Sequence, residues 1–156
     1  MAKHDARDGT ICQNRRARQR FEVLEKLECG IALQGTEVRS LREKDMSLDE
    51  AYVRVEGGEL WLIGCRIATY RFGAGRNHDP TRRRKLLAHR RQVQHLQVQT
   101  EQAGFTLIPL RLYFNDRGIA KVTVGVVRGL KRADKRDVLK AREHQREMDQ
   151  AMRRRR

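Results

Sequence analysis

Apolar and polar residues alternate along much of the chain, which predicts a domain built mainly from short β-strands. In residues 21–33, the apolar positions Leu27, Cys29, Ile31 and Leu33 fall on one face of an extended chain. Strict alternation of this kind is typical of a strand with one buried face. The segment is therefore predicted to be a half-buried strand.

Hairpin signals follow this strand. The apolar, β-branched runs at residues 51–55 and 60–67 are separated by a glycine pair at 57–58, which is typical of a tight turn. Residues 71–78 hold two glycines among polar residues and predict a mobile loop. Two more alternating strands are joined by a predicted turn at residues 115–118. Their apolar faces are Ile108, Leu110, Leu112 and Phe114 on the first, and Ala120, Val122, Val124 and Val126 on the second.

Helix signals occur at three places. Asn14 is a favourable N-cap for the basic segment at residues 15–20, and Thr36 is one for a short helix ending at Leu41. Asp79, followed by a proline at the first helical position, predicts a helix that runs to the glycine at position 104. The apolar stripe of that helix is Leu86, Val93 and Leu96.

The two ends of the chain lack the apolar residues needed for independent folding. Residues 1–13 have no periodic pattern, and we expect them to be disordered. Residues 130–156 favour helix by composition, but their few apolar residues cannot offset the entropy lost on ordering. We expect a tail that is disordered or frayed alone and helical on its target; a helix docked on the domain is the alternative.

These elements predict one folded domain, residues 14–129, with about six antiparallel strands and one or two helices. Hydrophobic residues make up 38% of the 156-residue chain, enough for one small core. The best match is a mostly β fold: a small antiparallel barrel of the oligonucleotide-binding type (OB-like), with flanking short helices and a basic C-terminal tail. A β-sandwich is the alternative, although the strands are few for two sheets.

The charge of the chain predicts a polyanionic partner. Lys and Arg number 35 against 20 Asp and Glu, a net charge of +15 at pH 7. The charge is also segregated. Residues 22–59 hold ten acidic and five basic residues, residues 76–95 hold seven basic residues and one acidic residue, and residues 128–156 carry a net +7. An ordinary solvated surface does not segregate charge in this way.

Other classes of function find little support. No apolar run approaches the roughly 20 residues that span a bilayer, and the first residues carry no secretory signal, so we expect a cytoplasmic protein. Cys12, Cys29 and Cys65 are far apart and predict free thiols. His78-Asp79 is a candidate nuclease pair, but Asp79 already has a capping role. Motifs for phosphate loops and serine nucleophiles are absent, so we expect no catalytic residue, metal or cofactor.

A cluster of basic residues points to RNA. Residues 82–85 (Arg-Arg-Arg-Lys) and 90–91 (Arg-Arg) would lie on one flank of the helix predicted to start at Asp79. No acidic residue between Pro80 and Thr100 is available to neutralise them, so contact with phosphate is predicted. Aromatic residues are only 5% of the chain, which favours recognition of RNA shape and backbone over base stacking.

Six segments of the sequence, in the same order, resemble the SsrA-binding protein family, also called small protein B. The resemblance extends over about residues 14–152. The segments are NRRAR (14–18), GIALQGTEVRSL (30–41), DPTRRRKLL (79–87), PLRLYF (109–114), AKVTVGVVRG (120–129) and DKR (134–136).

This resemblance implies an OB-type barrel that binds the tRNA-like domain of transfer-messenger RNA (tmRNA). The protein would deliver that RNA to stalled ribosomes for trans-translation, without catalysing a reaction itself. Its tail would occupy the empty mRNA channel near the decoding centre as a helix. We expect it to act as a monomer bound to RNA, away from membranes. The alternatives are a general RNA-binding or ribosome-assembly protein without tmRNA specificity and, third, a nuclease.

The resemblance also assigns residues to these roles. Glu28 would accept a hydrogen bond from a 2′-hydroxyl or a base amine, and Leu87 would contact RNA unless it belongs to the core. With the basic cluster included, the predicted RNA-binding residues are Asn14, Arg15, Arg16, Arg18, Glu28, Arg82, Arg84, Lys85, Leu87, His89 and Lys121. The predicted ribosome-binding residues of the tail are Gly129, Lys131, Asp134, Lys135, Arg136 and Met152. Gln19, Leu130 and Ala133 depart from the family pattern.

Overall fold

The computed structural model describes residues 9–102, 104–130 and 132–154. Within them the strands are β1 (Thr10–Gln13), β2 (Phe21–Ile31), β3 (Met46–Ser47), β4 (Tyr52–Glu56), β5 (Glu59–Ile63), β6 (Arg66–Ile67), β7 (Arg84–Leu87), β8 (Thr106–Phe114) and β9 (Ala120–Gly129). The helices are α1 (Arg15–Arg20), α2 (Gly35–Arg42), α3 (Arg90–Glu101) and α4 (Arg132–Arg154).

Six of the strands close into an antiparallel barrel. Hydrogen bonding runs in the order β8-β4-β5-β7-β2-β9, and β9 pairs again with β8, so the ring is complete. Strand β1 adds to β8, and β3 pairs with β6 in a separate two-stranded sheet. The predicted mostly β, OB-like fold with flanking helices is confirmed.

Alternate residues of the barrel strands fill its interior. Leu27, Cys29 and Ile31 of β2 lie in or against the core, as their spacing predicts. The core also takes the predicted face of β9, since Ala120, Val122, Val124 and Val126 are all buried there. Each fully buried aliphatic side chain contributes about 1.5–3 kcal/mol. This interior fixes which residues of β2 and β9 face outward.

Strand β8 departs from simple alternation. Its register with β9 shifts between Pro109 and Arg111, which marks a β-bulge at Leu110. Leu112 consequently faces the barrel core, whereas Ile108 and Leu110 pack outside it. The predicted single apolar face of this strand is therefore wrong. The outer residues form a second small core with Ala17 of α1 and Val127 of β9.

The predicted hairpin at residues 57–58 is confirmed. Both glycines have positive φ angles, +58° and +74°, which a two-residue turn of type I′ requires. The prediction of one strand over residues 60–67 is wrong: β5 ends at Ile63, and Arg66–Ile67 forms the separate strand β6. The break falls at Gly64. Gly64 has φ +75°, and a Cβ there would lie 2.5 Å from the carbonyl oxygen of Glu50. Residues 71–78 lack regular secondary structure, as expected.

The prediction of a helix that starts at Asp79 is wrong for the residues before Arg90. The Asp79 carboxylate accepts hydrogen bonds from the backbone N–H and the hydroxyl of Thr81, so it stabilises a turn instead. Residues 84–87 then form β7, with Leu86 paired to Leu60 of β5 and to Ile31 of β2. Because β7 is the strand that joins β5 to β2, barrel closure overrides the local helix signal. The helix begins only at Arg90, as α3.

The expectation of disorder over residues 1–13 is wrong for its last four residues. Thr10–Gln13 forms β1, which pairs with β8, and the Phe114 amide donates to the Gly9 carbonyl. The first eight residues lie outside the described part of the chain. The strand is specified by its partner, since a free edge of β8 supplies the hydrogen bonds that the segment lacks by itself.

The described part of the tail after Leu130 forms one helix, α4. The helix contacts α1, as in the docked alternative. Disorder or fraying of the tail in the absence of its target stays a prediction. Among its described side chains, Arg142 donates to the Arg18 carbonyl of α1 at 3.2 Å. A hydrogen bond from Gln145 to Asp149, one turn apart, supports the helix internally. No described helix is long and apolar enough to cross a membrane.

Candidate RNA-binding surface

The outer face of the barrel carries a row of polar residues across three strands. Tyr113 of β8 lies opposite Lys121 of β9, and Lys121 lies opposite Gly30 of β2. Two residues further along β9, on the same face, Thr123 pairs with Glu28 of β2. Because their neighbours in sequence fill the core, these side chains are held on the outside.

This row borders an open groove at the junction of β2, β9 and the start of α3. We call it the Glu28 groove. Its lining residues are Glu28, Gly30, Leu87, Ala88, His89, Gln92 and Lys121. Four of the residues predicted to bind RNA are thus brought together from three separate parts of the sequence: Glu28, the neighbouring pair Leu87 and His89, and Lys121.

Leu87 and Gly30 form the floor of the Glu28 groove. Leu87 is 51% exposed, so it is not the core residue that the alternative reading supposed. A Cβ at position 30 would lie 3.2 Å from the Leu87 Cβ, so glycine lets β2 and β7 approach closely. His89 caps α3, where its amide donates to the Gln92 side chain at 3.0 Å. The groove combines a carboxylate, an ammonium group and an exposed aliphatic surface.

Two residues next to Glu28 were missed by the sequence prediction. The Tyr113 hydroxyl donates to Glu28 Oε2. The Arg111 guanidinium lies over the Tyr113 ring, 4.1 Å from its centroid, within the range of a cation–π contact. The alternation of β8 beyond the bulge was the available signal, since it places both residues on the outer face.

Asn14 has a structural position. Its side chain accepts from the Ala17 amide at 3.1 Å and donates to the carbonyls of Leu48 and Pro109 at 3.3 and 3.2 Å. The residue is only 4% exposed. The predicted N-cap of α1 is therefore confirmed, whereas a direct contact of Asn14 with RNA does not fit this structure. Its role is to hold α1 on the barrel.

The arginines of α1 lie at a second location. Arg15, Arg16 and Arg18 are exposed, and Arg16 is 3.5 Å from Glu50. A groove between α1 and α4 is lined by Gln13, Asn14, Arg15, Arg18, Gln19, Arg142, Gln145 and Arg146. Helix α1 joins β2 at Phe21, seven residues before Glu28, a distance of about 23 Å along a strand. The predicted residues therefore occupy both ends of β2.

The basic cluster at residues 82–85 is largely neutralised by carboxylates from distant elements. Arg84 is fully buried and donates to Glu37 Oε1 at 2.8 Å and to the Cys65 carbonyl at 2.8 Å. The prediction that Arg84 contacts RNA is wrong, because its guanidinium has no exposed surface. Lys85 Nζ is 2.6 Å from Glu59, although its side chain remains 40% exposed.

Glu37 is the centre of this buried network. It is fully buried and lies at the third position of α2. The N-cap of α2 is Gln34, so the prediction that Thr36 caps this helix is wrong. The Arg82 guanidinium donates to both carboxylate oxygens of Glu37, from Nε to Oε1 at 2.7 Å and from Nη2 to Oε2 at 2.6 Å. Burial alone would raise the pKa of Glu37, but hydrogen bonds from Arg82, the Gln34 amide and Arg84 outweigh it and lower that pKa. We call Glu37, Arg82 and Arg84 the Glu37 clamp.

The candidate nuclease pair is occupied by structural contacts. His78 is buried, with Nδ1 2.9 Å from the Thr36 hydroxyl and Nε2 3.0 Å from the Ile67 carbonyl. Both ring nitrogens thus have partners, and Asp79 stabilises the adjacent turn. The described residues contain no cluster of three or more His, Cys, Asp or Glu that could hold a metal ion.

The cysteines are free thiols, as predicted. Burial raises the pKa of Cys29 and of Cys65 to about 11. Neither thiol is thus primed as a nucleophile at neutral pH.

The predicted ribosome-binding residues follow the barrel without an intervening domain. Gly129 ends β9. Arg136 and Met152 lie on α4 and are exposed, Met152 by 65%. Asp134 and Lys135 lie within α4, but their side chains are not among those described. Lys131 lies outside the described residues.

Comparison with known proteins identifies the family. The family model described as SmpB protein matches residues 11–154. An SsrA-binding protein of Rhodopirellula baltica is 49% identical over 144 residues, covering 92% of this chain and 82% of the relative. One from Gloeothece citriformis is 44% identical over 155 residues, covering 99% of both chains.

A solved structure agrees with these relatives. A chain in the work described as "tmRNA-SmpB: a journey to the center of the bacterial ribosome" matches with a TM-score of 0.66 and 46% identity. The match covers 82% of this chain and 93% of that one. With the family model spanning most of the sequence, the chain belongs to the SmpB family of SsrA-binding proteins.

Proposed function

We propose that this protein binds the tRNA-like domain of tmRNA and delivers it to stalled ribosomes for trans-translation. It acts as an adaptor in the cytoplasm, and the ribosome performs the chemistry. The observation that carries the proposal is the Glu28 groove, where Glu28, Leu87, His89 and Lys121 converge on the surface of a barrel from a family named for binding this RNA.

The chemistry of the groove suits folded RNA. Lys121 supplies a cation for phosphate, Glu28 supplies an acceptor for 2′-hydroxyl or base donors, and Leu87 supplies an apolar contact for a sugar or base. The exposed parts of Arg82 and Lys85 on the β7 side, and the exposed arginines of α1 at the other end of β2, add phosphate contacts outside the groove. A net charge of +15 accelerates the encounter with RNA at low salt.

The tail has a different task in this proposal. Helix α4 is basic, its described side chains are exposed apart from Arg142, and it begins three residues after Gly129. We propose that it leaves α1 and occupies the empty mRNA channel near the decoding centre, with Gly129 to Arg136 at the junction and Met152 as an apolar contact. Among the described residues, the hydrogen bond from Arg142 to the Arg18 carbonyl joins the helix to α1, and a single neutral-acceptor hydrogen bond of this kind contributes about 0.5–1.5 kcal/mol.

A competition gel shift tests the RNA partner. Labelled tRNA-like domain of tmRNA is bound at moderate salt, and bulk tRNA is added in excess. Selective binding supports the proposal. Binding that yields to bulk tRNA and follows total phosphate alone would favour the second candidate, a general RNA-binding protein, to which the net charge points.

A charge reversal in the groove tests the site. Glu28→Arg should weaken selective binding at least ten-fold, because it removes a hydrogen-bond acceptor from the groove. The barrel should stay folded, because the side chain of Glu28 is exposed. Glu101→Arg is the matched control, since Glu101 is an exposed glutamate at the far end of α3, about 14 Å along the helix from Gln92, which lines the groove. Equal effects of the two variants would contradict a site at Glu28.

A further inference from the structure

Tyr113 is buried on the outside of the barrel, an uncommon position for a large side chain. It is only 7% exposed, although it lies on the outward face of β8 opposite Lys121. Its hydroxyl meets Glu28 on β2, so the side chain reaches across the intervening strand β9. The ring is covered by the Arg111 guanidinium at 4.1 Å. Tyr113 is thereby fixed at both its ring and its hydroxyl.

Glu28 is less enclosed than Tyr113. It is an exposed side chain on a strand, and among the described residues the Tyr113 hydroxyl is the hydrogen-bond partner of its carboxylate. That bond engages Oε2 and leaves Oε1 available at the Glu28 groove. A glutamate that is held in one orientation loses less conformational entropy when it binds a ligand.

A carboxylate on an RNA-binding surface needs such orientation. RNA phosphates repel it, so Glu28 favours binding only when it accepts hydrogen bonds from RNA donors. Those donors are base amino or imino groups and 2′-hydroxyls, and each demands short, directional geometry. A randomly oriented carboxylate would contribute the repulsion without the hydrogen bond.

We propose that Tyr113 is a positioning residue that holds the Glu28 carboxylate ready for an RNA donor in the Glu28 groove. The inference rests on the proposed function, since it assumes that the groove binds RNA. It adds a residue that would touch no RNA itself and would act through Glu28.

A double-mutant cycle tests this inference with the full-length protein and the tRNA-like domain of tmRNA. Tyr113→Phe removes the hydroxyl and keeps the ring under Arg111, and should weaken binding about two- to ten-fold. In a Glu28→Gln background the same change should cost less than two-fold, because the charge to be oriented is gone. Tyr70→Phe is the control for loss of a tyrosine hydroxyl outside the groove.

A second variant keeps the test decisive if Tyr113→Phe folds poorly. Glu28→Asp retains both the charge and Tyr113 but withdraws the carboxylate by one methylene, so it should weaken binding to a similar degree. Additive losses in the cycle, wild-type affinity of Tyr113→Phe, or wild-type affinity of Glu28→Asp would each overturn the inference. Failure of the proposed function gives a different result from failure of this inference. In that case the wild-type protein itself would not prefer the tRNA-like domain over bulk tRNA in the competition gel shift.

Discussion

Glu37 holds two arginines in place, and its neutralisation should destabilise the whole barrel. In the folded protein it is fully buried and accepts two hydrogen bonds from Arg82, one from Arg84 and one from the Gln34 amide. Glu37→Gln retains the shape of the side chain but removes its charge. The fully buried Arg84 guanidinium is then left without a counter-ion.

The magnitude follows from this burial. Removing one partner of a buried ion pair costs about 3–5 kcal/mol. The change is large beside a total stability of about 5–15 kcal/mol for a typical domain. A cost of this size lowers the melting temperature by roughly 6–20 °C in a chain of this length. Urea denaturation, followed by circular dichroism, measures the free energy of unfolding directly.

An exposed ion pair provides the control. Glu59 pairs with Lys85 at 2.6 Å, but both side chains are about 40% exposed, so Glu59→Gln should cost about 0–1 kcal/mol. If Glu37→Gln and Glu59→Gln destabilise the protein equally, the reasoning about the clamp is refuted.

The contribution of Glu37 should also depend on pH. Its pKa is lowered on folding, so the unfolded chain binds the proton more tightly than the folded one. The stabilisation is therefore complete above the ordinary glutamate pKa of about 4.3 and is lost as pH falls through the lower folded value. The difference in unfolding free energy between wild type and Glu37→Gln should shrink on acidification below about pH 4. A constant difference from pH 7 to pH 3 would contradict this assignment.

Two further outcomes are expected. Asn14→Ala should cost about 2 kcal/mol, because it removes the cap of α1 and two buried hydrogen bonds; a urea midpoint equal to that of wild type would contradict this. Removal of the chain after Gly129 should abolish tagging on stalled ribosomes in a reconstituted translation assay and leave binding of the tRNA-like domain nearly intact. Equal loss of both activities would contradict separate roles for barrel and tail.

The parts of the fold that were predictable depend on local signals. Alternation in β2 and β9 identified the faces that fill the core, the glycine pair at residues 57–58 identified a turn, and Asn14 identified the start of α1. In each case the residues that decide the structure are neighbours in sequence.

The parts that were not predictable depend on partners far along the chain. Strand β1 exists because β8 offers an edge, and β7 exists because β5 and β2 need a strand between them. The bulge at Leu110 exchanges the inner and outer faces of β8, which no periodicity reveals. The contact between Tyr113 and Glu28 joins residues 85 apart and requires both the bulge and the closed ring.

The basic cluster shows how this affects the candidate site. Because no acidic residue occurs between Pro80 and Thr100, the sequence predicts that Arg82, Arg84 and Lys85 contact RNA. In the structure Arg82 and Arg84 reach Glu37, which lies 45 and 47 residues earlier in the chain. Those arginines anchor the strand whose last residue, Leu87, lines the Glu28 groove.

The Glu37 clamp therefore links the stability of the fold to the shape of the groove. Strand β7 has only four residues, and the clamp fixes its first residue while Leu87 and His89 follow at its other end. Loss of the Glu37 charge should consequently weaken binding of the tRNA-like domain even where the protein remains folded. Measuring Glu37→Gln affinity well below its melting temperature separates the two effects. Unchanged affinity there would mean that the clamp supports the barrel alone, and that the groove keeps its shape through strand pairing.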